Sequence, residues 1–210
     1  MSVHSTSSEG VSGRKPVTVP GLAAMRARGE RIAMLTCYDA AFAGVLDAAG
    51  VDVLLIGDSL GMVLQGHSST LPVTLQDVAY HTGCVSRAKP KALVMADMPW
   101  ASYQASCEQA YGNAAALMAA GAQMVKLEGG AWLVPTVEFL VSRGIPVCAH
   151  LGLTPQSLNV LGGYKVQGRG EAGEQLLADA RAMQEAGAGL VLVELIPSTL
   201  GKALTEALSV

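Results

Sequence analysis

Aromatic residues are scarce in this chain, at 4% of 210 residues, and charged residues make up only 15%. A core of any size must therefore be built from Ala, Val, Leu, Ile and Met. Half of the residues are hydrophobic, which is enough for such a core and excludes a chain that is disordered throughout. The net charge of −3 and the pI near 5.8 leave no basic stripe of the kind nucleic acid requires. Cys37, Cys84, Cys107 and Cys148 are scattered, with no close pair such as a zinc site or a redox dithiol uses. They read as reduced, mostly buried thiols of a cytoplasmic protein. No apolar run is long enough to span a bilayer, so no membrane role is expected. The opening MSVHSTSSEGVSGRKP has no apolar segment and is no signal peptide. It predicts a disordered tail over residues 1–18, ahead of one domain over 19–210.

What the chain has in abundance is one repeated pattern. Ala48-Ala49-Gly50 leads into VDVLLIGD, ending on Asp58; Ala119-Ala120-Gly121 leads into AQMVKLE, ending on Glu128; Ala186-Gly187-Ala188 leads into GLVLVE, ending on Glu194. Each is an Ala-rich helix closed by a glycine, then a short apolar strand, then an acid. Looser versions end ALVMAD on Asp97 and VCAH on His150, and RIAMLTCY (31–38) supplies an earlier strand. The strands are continuous apolar runs, as expected where both faces are covered in a parallel sheet. Helical apolar spacing places helices near 40–49, 75–87, 106–120, 132–143, 172–186 and 199–208. Strand and helix alternate throughout, which means an α/β protein built of βαβ units. A doubly wound open sheet concentrates chemistry at one switch point, whereas a (β/α)8 TIM barrel gathers every strand end around one mouth. Reactive residues follow nearly every strand here, so the barrel is the better reading. The pattern accounts for about six of the eight units of a closed barrel.

In a barrel, Asp58, Asp97, Glu128 and Glu194 converge. Two carboxylates about 4 Å apart repel by roughly 4 kcal/mol at an effective dielectric near 20, so such a cluster needs a proton, a basic partner or a metal. Oxygen ligands without a His/Cys group favour Mg²⁺ over zinc. Each acid taken alone fits a helix cap or a surface ion pair equally well. Ser59, next to Asp58, is either a turn residue or a donor to a substrate carboxylate. Lys126 shares its strand face with Glu128, and an inward lysine is costly unless it meets an anion. His150 is either a buried structural histidine or a hydrogen-bond donor and proton carrier for a substrate. The glycine-rich LGGYKVQGRG (161–170) lacks the Gly-Lys-Ser/Thr of a phosphate loop and reads as a lid over the mouth.

These motifs resemble the ketopantoate hydroxymethyltransferase (3-methyl-2-oxobutanoate hydroxymethyltransferase) family. The stretches that carry the likeness are TCYDAAFA (36–43), GDSLGMVLQGHSSTLPVTLQDVAYHT (57–82), MADMPW (95–100) and MVKLEGG (124–130), followed by VCAHLGLTPQS (147–157), GGYKVQGRG (162–170) and LVLVELIP (190–197). The resemblance implies a (β/α)8 barrel acting in pantothenate biosynthesis. The family moves a one-carbon unit from 5,10-methylenetetrahydrofolate, the co-substrate, to 3-methyl-2-oxobutanoate, giving 2-dehydropantoate. It implies that Asp58 and Asp97 hold Mg²⁺ with Glu128 as a third ligand, direct or through water. Ser59 and Lys126 would join Asp58 and Asp97 in binding the keto acid, and Glu194 would be the catalytic base; His150, from its place at the strand end, is added to the substrate contacts. A cytoplasmic homo-oligomer, a decamer, is implied as well. By the same resemblance the chain is short of about two βα units, so an incomplete barrel is the expectation, with the 210-residue form inactive. The rival readings are a Mg-dependent 2-oxo acid lyase of the isocitrate lyase type, whose Lys-Cys-Gly-His loop is missing here, and an inactive truncated barrel.

Overall fold

A computed structural model of the chain describes residues 13–210. Of the tail expected over 1–18, residues 1–12 lie outside the described residues. Residues 13–18 lie against the domain: Arg14 pairs with Asp52 at 2.7 Å, the Val17 N–H donates to the Lys91 carbonyl at 2.7 Å, and the Thr18 hydroxyl caps the first helix. Composition alone is blind to such contacts, because their partners are far along the chain.

The elements run α1 (Val19–Ala27), β1 (Met34–Thr36), α2 (Ala40–Ala48), β2 (Val53–Ile56), α3 (Leu60–Val63), α4 (Leu75–Arg87), β3 (Leu93–Asp97), α5 (Cys107–Ala120) and β4 (Met124–Glu128). They continue with α6 (Val134–Val141), β5 (Val147–Gly152), α7 (Leu158–Leu161), α8 (Glu171–Glu185), β6 (Leu190–Glu194) and α9 (Ser198–Ala207). Every strand and long helix from β1 onward stands where the periodicity puts it. Local chemistry sets the ends. Asp39 and Ser106 cap α2 and α5, and Thr74 with Asp77 forms a reciprocal capping box on α4. Gly121 ends α5 at φ 116°, where a Cβ would be strained and would also meet the Ser86 side chain.

Helix α1 has no counterpart among the helices that the periodicity places. Pro20 in its first turn is harmless because the first N–H groups have no helical partner. The helix earns its place by packing: Leu22 is buried among inward strand residues, and the Arg26 guanidinium donates to the Thr205 and Leu208 carbonyls at the end of α9.

The six strands form one all-parallel sheet in sequence order. No strand order reverses, so there is no switch point of the doubly wound kind. Register puts Met34, Val53 and Leu93 in one row, then Met95 beside Met124, and Cys148 beside Leu190. Because side chains alternate, these residues share one face. That face gathers Leu22, Val53, Leu55, Met95, Met124 and Cys148 into a cluster to which Met34, Leu190 and Leu192 also belong. In a flat sheet β1 and β6 would stand roughly 24 Å apart. Met34 and Leu190 instead line one cavity, so the sheet is curled into an open half-barrel. The opposite face carries the larger core, where Leu54, Ile56, Val94 and Val125 meet Val78, Val85, Leu117 and Val137 of the helices. The same inward rows that are apolar at the floor turn polar at their carboxyl ends: Asp97 and Lys126 are paired in register, then Glu128 and His150, then Gly152 and Glu194.

Candidate active site

All seven residues singled out from the sequence line one cavity of about 260 Å³ at the carboxyl ends of the strands, together with Gly57 and Tyr164. Asp58, Asp97, Lys126, Glu128 and His150 are buried, each no more than 4% exposed. Glu194 is the open member, with 37% of its side chain exposed.

Lys126 is the hub. Its Nζ lies 3.0 Å from Asp97 Oδ1, 3.6 Å from Glu128 Oε1 and 3.1 Å from His150 Nδ1. Burial opposes its charge, but Asp97, Glu128 and Asp58 outweigh that and hold its pKa above the ordinary lysine value. The carboxylates respond differently. Burial first, then the charges of Asp97 and Glu128, pushes Asp58 up to about 7. Burial also raises Asp97 in spite of Lys126. Glu128 is lowered overall: burial acts upward, and His150, Lys126 and the Gln156 backbone together act downward more strongly. Three buried carboxylates around one lysine leave an excess of negative charge, which a divalent cation would relieve.

His150 bridges the two sides of the cavity. Nδ1 stands 3.3 Å from Glu128 Oε1, and Nε2 stands 3.4 Å from Glu194 Oε2, within ion-pair reach but poorly aligned for a hydrogen bond. Burial and the Lys126 charge lower its pKa, while the contacts with Glu128 and Glu194 raise it further, for a net rise. Ser59 begins α3 without capping it; its hydroxyl instead shares a hydrogen bond of 2.8 Å with the Tyr38 hydroxyl. A Cβ at Gly57 would come within 2.8 Å of Ser59 Oγ and 3.5 Å of Asp97 Oδ2, so glycine there keeps the space between them open. The glycine-rich segment does reach the mouth: Tyr164 lines the cavity and its hydroxyl lies 3.8 Å from Met62 Sδ.

The acids fit a hard cation with few protein ligands. Asp58, Asp97 and Glu128 bring three buried carboxylates to one cavity, and the one ammonium among them, Lys126, faces Asp97 Oδ1 and Glu128 Oε1. Among the described residues, no three His, Cys, Asp or Glu side chains converge tightly enough to enclose an ion unaided. Carboxylate oxygens are the donor type that Mg²⁺ takes, one or two of them with waters completing the shell. That number bears on Glu128, expected as a third ligand: its oxygens are engaged with Lys126, His150 and the Gln156 N–H.

Sequence reasoning missed Tyr38, Tyr103 and Gln156. Tyr38 sits within the TCYDAAFA motif and Gln156 within TPQS, but neither carries a charge or a ligand spacing that would mark it.

A model of the family described as ketopantoate hydroxymethyltransferase matches residues 16–210. The chain belongs to that family. A relative named 3-methyl-2-oxobutanoate hydroxymethyltransferase, from Thiobacillus denitrificans, is 64% identical over 196 residues, covering 92% of this chain and 74% of its own length. One of the same name from Burkholderia vietnamiensis is 62% identical over 200 residues, 95% of this chain and 73% of the relative. The chain thus spans about three quarters of these relatives. As a family member it is a transferase of the hydroxymethyl group. Among solved structures, 2,3-dimethylmalate lyase of the PEP mutase/isocitrate lyase superfamily superposes with a TM-score of 0.65 at 20% identity, covering 90% of this chain and 66% of the other. Phosphonopyruvate hydrolase, solved with oxalate and Mg²⁺, gives 0.65 at 12% identity over 85% and 63%. At such identities these two establish the fold alone. In the family member described here, no helix among the described residues is long and apolar enough to cross a membrane.

Proposed function

We propose that the chain transfers a hydroxymethyl group from 5,10-methylenetetrahydrofolate to 3-methyl-2-oxobutanoate, forming 2-dehydropantoate for pantothenate biosynthesis. The observation that carries the site assignment is the arrangement of Glu194 across the cavity from the Asp58–Asp97–Lys126 group, with His150 between them.

Asp58 and Asp97 would hold Mg²⁺, with Glu128 as a third ligand, direct or through water. When bound there, the ion acts as a Lewis acid toward the keto acid and stabilises the enolate charge, an effect worth several kcal/mol. Lys126 brings a fixed positive charge beside the anionic substrate in a water-poor cavity. Ser59, oriented by Tyr38, donates to the substrate carboxylate, and His150 presents Nε2–H toward the Glu194 side. Glu194 takes the proton from C3 of the keto acid, and the C–H electron pair moves into the C2–C3 bond as the carbonyl oxygen gains charge. C3 then forms the new carbon–carbon bond to the donor's one-carbon unit; one water supplies the hydroxyl, and tetrahydrofolate leaves. The exposure of Glu194 suits a base that must meet a substrate entering from the mouth. Tyr164 and Met62 at the rim lie where a second substrate must pass.

Strands β1 and β6 leave Leu35, Leu190 and Leu192 partly exposed. Two further strands laid between them complete the eight of a closed barrel, in keeping with the family. A decameric, cytoplasmic assembly is part of the same reading. The direct test is formation of 2-dehydropantoate from labelled 3-methyl-2-oxobutanoate, Mg²⁺ and methylenetetrahydrofolate; turnover by the 210-residue chain would also overturn the expectation that only a longer form is active. Absence of product, with pyruvate or another cleavage product from a related 2-oxo acid instead, would place the chain among the lyases.

Cation binding is expected to depend on pH. A raised pKa means that the metal-free fold favours protonated Asp58. That contribution to stability is complete below the unfolded carboxylate value and is lost as pH rises through about 7. A cation replaces this proton, so its apparent affinity weakens as pH falls below 7, by up to about tenfold per unit. Calorimetric Mg²⁺ titration at pH 6 and 8 checks this. Equal affinities would show that Asp58 loses no proton on binding.

A further inference from the structure

Three carboxylates from three different strand ends share one feature: each has an oxygen tied by a protein N–H. Asp97 Oδ2 accepts from the Asp58 backbone at 2.9 Å. Asp58 Oδ2 accepts from the Gln156 side-chain amide at 2.9 Å, and Glu128 Oε2 accepts from the Gln156 backbone N–H at 2.9 Å. Two of the three ties come from one residue, in the turn Pro155–Ser157 after β5. The oxygens left over on Asp97 and Glu128 are the ones that face Lys126 and, for Glu128, His150 as well.

Gln156 is itself held in a single orientation. Its amide nitrogen also donates to the Met98 carbonyl at 2.9 Å, while its oxygen accepts from the Tyr103 hydroxyl at 2.7 Å and the Gln104 amide at 3.2 Å. Turning the amide over would set its oxygen against the Met98 carbonyl, acceptor against acceptor, and its nitrogen against the Gln104 amide. The Tyr103 hydroxyl accepts the Glu128 N–H at 3.0 Å, so it anchors β4 as well. Gln156 and Tyr103 are 7% and 1% exposed, and both carry their polar atoms into this network.

We propose that Gln156, oriented by Tyr103, is the positioning residue of the divalent-cation site. It ties one oxygen of Asp58, leaving the other to face the ion, and it ties one oxygen of Glu128, leaving the other to Lys126 and His150. The ammonium of Lys126 stands against Asp97 Oδ1 and Glu128 Oε1 but, among the described residues, makes no ion pair with Asp58, whose orientation it therefore does not fix. A fixed amide does. The proposal rests on the reading of Asp58 and Asp97 as cation ligands.

The test is Mn²⁺ binding to the full chain, followed by the electron paramagnetic resonance of free and bound ion, in Gln156→Met, Tyr103→Phe and Asp58→Asn. Methionine keeps the length of the side chain and the backbone N–H but has no amide. Gln156→Met is expected to weaken Mn²⁺ by about tenfold or more and to broaden the bound signal, at temperatures where circular dichroism shows it folded. Tyr103→Phe, which leaves Gln156 in place and removes the hydroxyl that donates to its oxygen, should weaken binding severalfold and decides the matter if the first variant does not fold. If Asp58→Asn abolishes binding while both other variants bind within about twofold of the unmodified chain, the positioning role is overturned and the ligand assignment stands. If Asp58→Asn itself binds normally, the ligand assignment fails and this proposal fails with it.

Discussion

Glu194→Gln is expected to slow hydroxymethyl transfer by about two to four orders of magnitude, the usual reach of a positioned general base. The amide keeps the shape of the side chain and a contact with His150 but accepts no proton at working pH. Glu194 stands on the far side of His150 from Lys126, so keto acid binding in the presence of Mg²⁺ should change little. Exchange of the C3 hydrogen of 3-methyl-2-oxobutanoate with deuterated water, followed by NMR without folate, isolates the proton step. The variant should exchange as slowly as it turns over. Exchange at the unmodified rate would remove Glu194 from that step and turn attention to His150.

Lys126→Met is expected to affect stability as well as function. The ammonium is buried between Asp97, Glu128 and His150, with 4% of its side chain exposed. Removing it leaves carboxylates in a desolvated cavity without their counter-charge, and breaking one partner of a buried ion group costs about 3–5 kcal/mol. Urea unfolding of the metal-free variant should show a loss of that order. Part of it should return at lower pH, as the raised pKa values of Asp58 and Asp97 let them bind protons. Mg²⁺ should also restore stability, by supplying the missing positive charge, whereas transfer activity stays low because the substrate anion has lost Lys126. A variant as stable as the unmodified chain would mean that Asp97 and Glu128 are already protonated in its absence.

The ordered alternation of apolar strands and Ala-rich helices was legible without coordinates, because burial on both faces of a parallel sheet demands continuous apolar runs. So were Asp58, Asp97, Lys126, Glu128, His150 and Glu194, since a strand that must be apolar along its length exposes any charge at its end. The parity of Lys126 and Glu128 even placed them on one face. Helix α1 was not legible: no apolar periodicity marks it, and what fixes it is the burial of Leu22 beneath the strands.

Fold class, the acid-ended strands and family membership were thus determined by the sequence itself, through patterns that act over neighbouring residues. The tertiary structure decided what depends on distant residues meeting. It curled the sheet so that Met34 and Leu190 share a cavity, and it set Lys126 rather than an open space between Asp97 and Glu128. It also gave Gln156 and Tyr103, uncharged and unmarked by spacing, the task of turning the carboxylates. A hydrogen bond is short and directional, so its partner across 98 positions of sequence is set by packing and leaves no periodic trace along the chain.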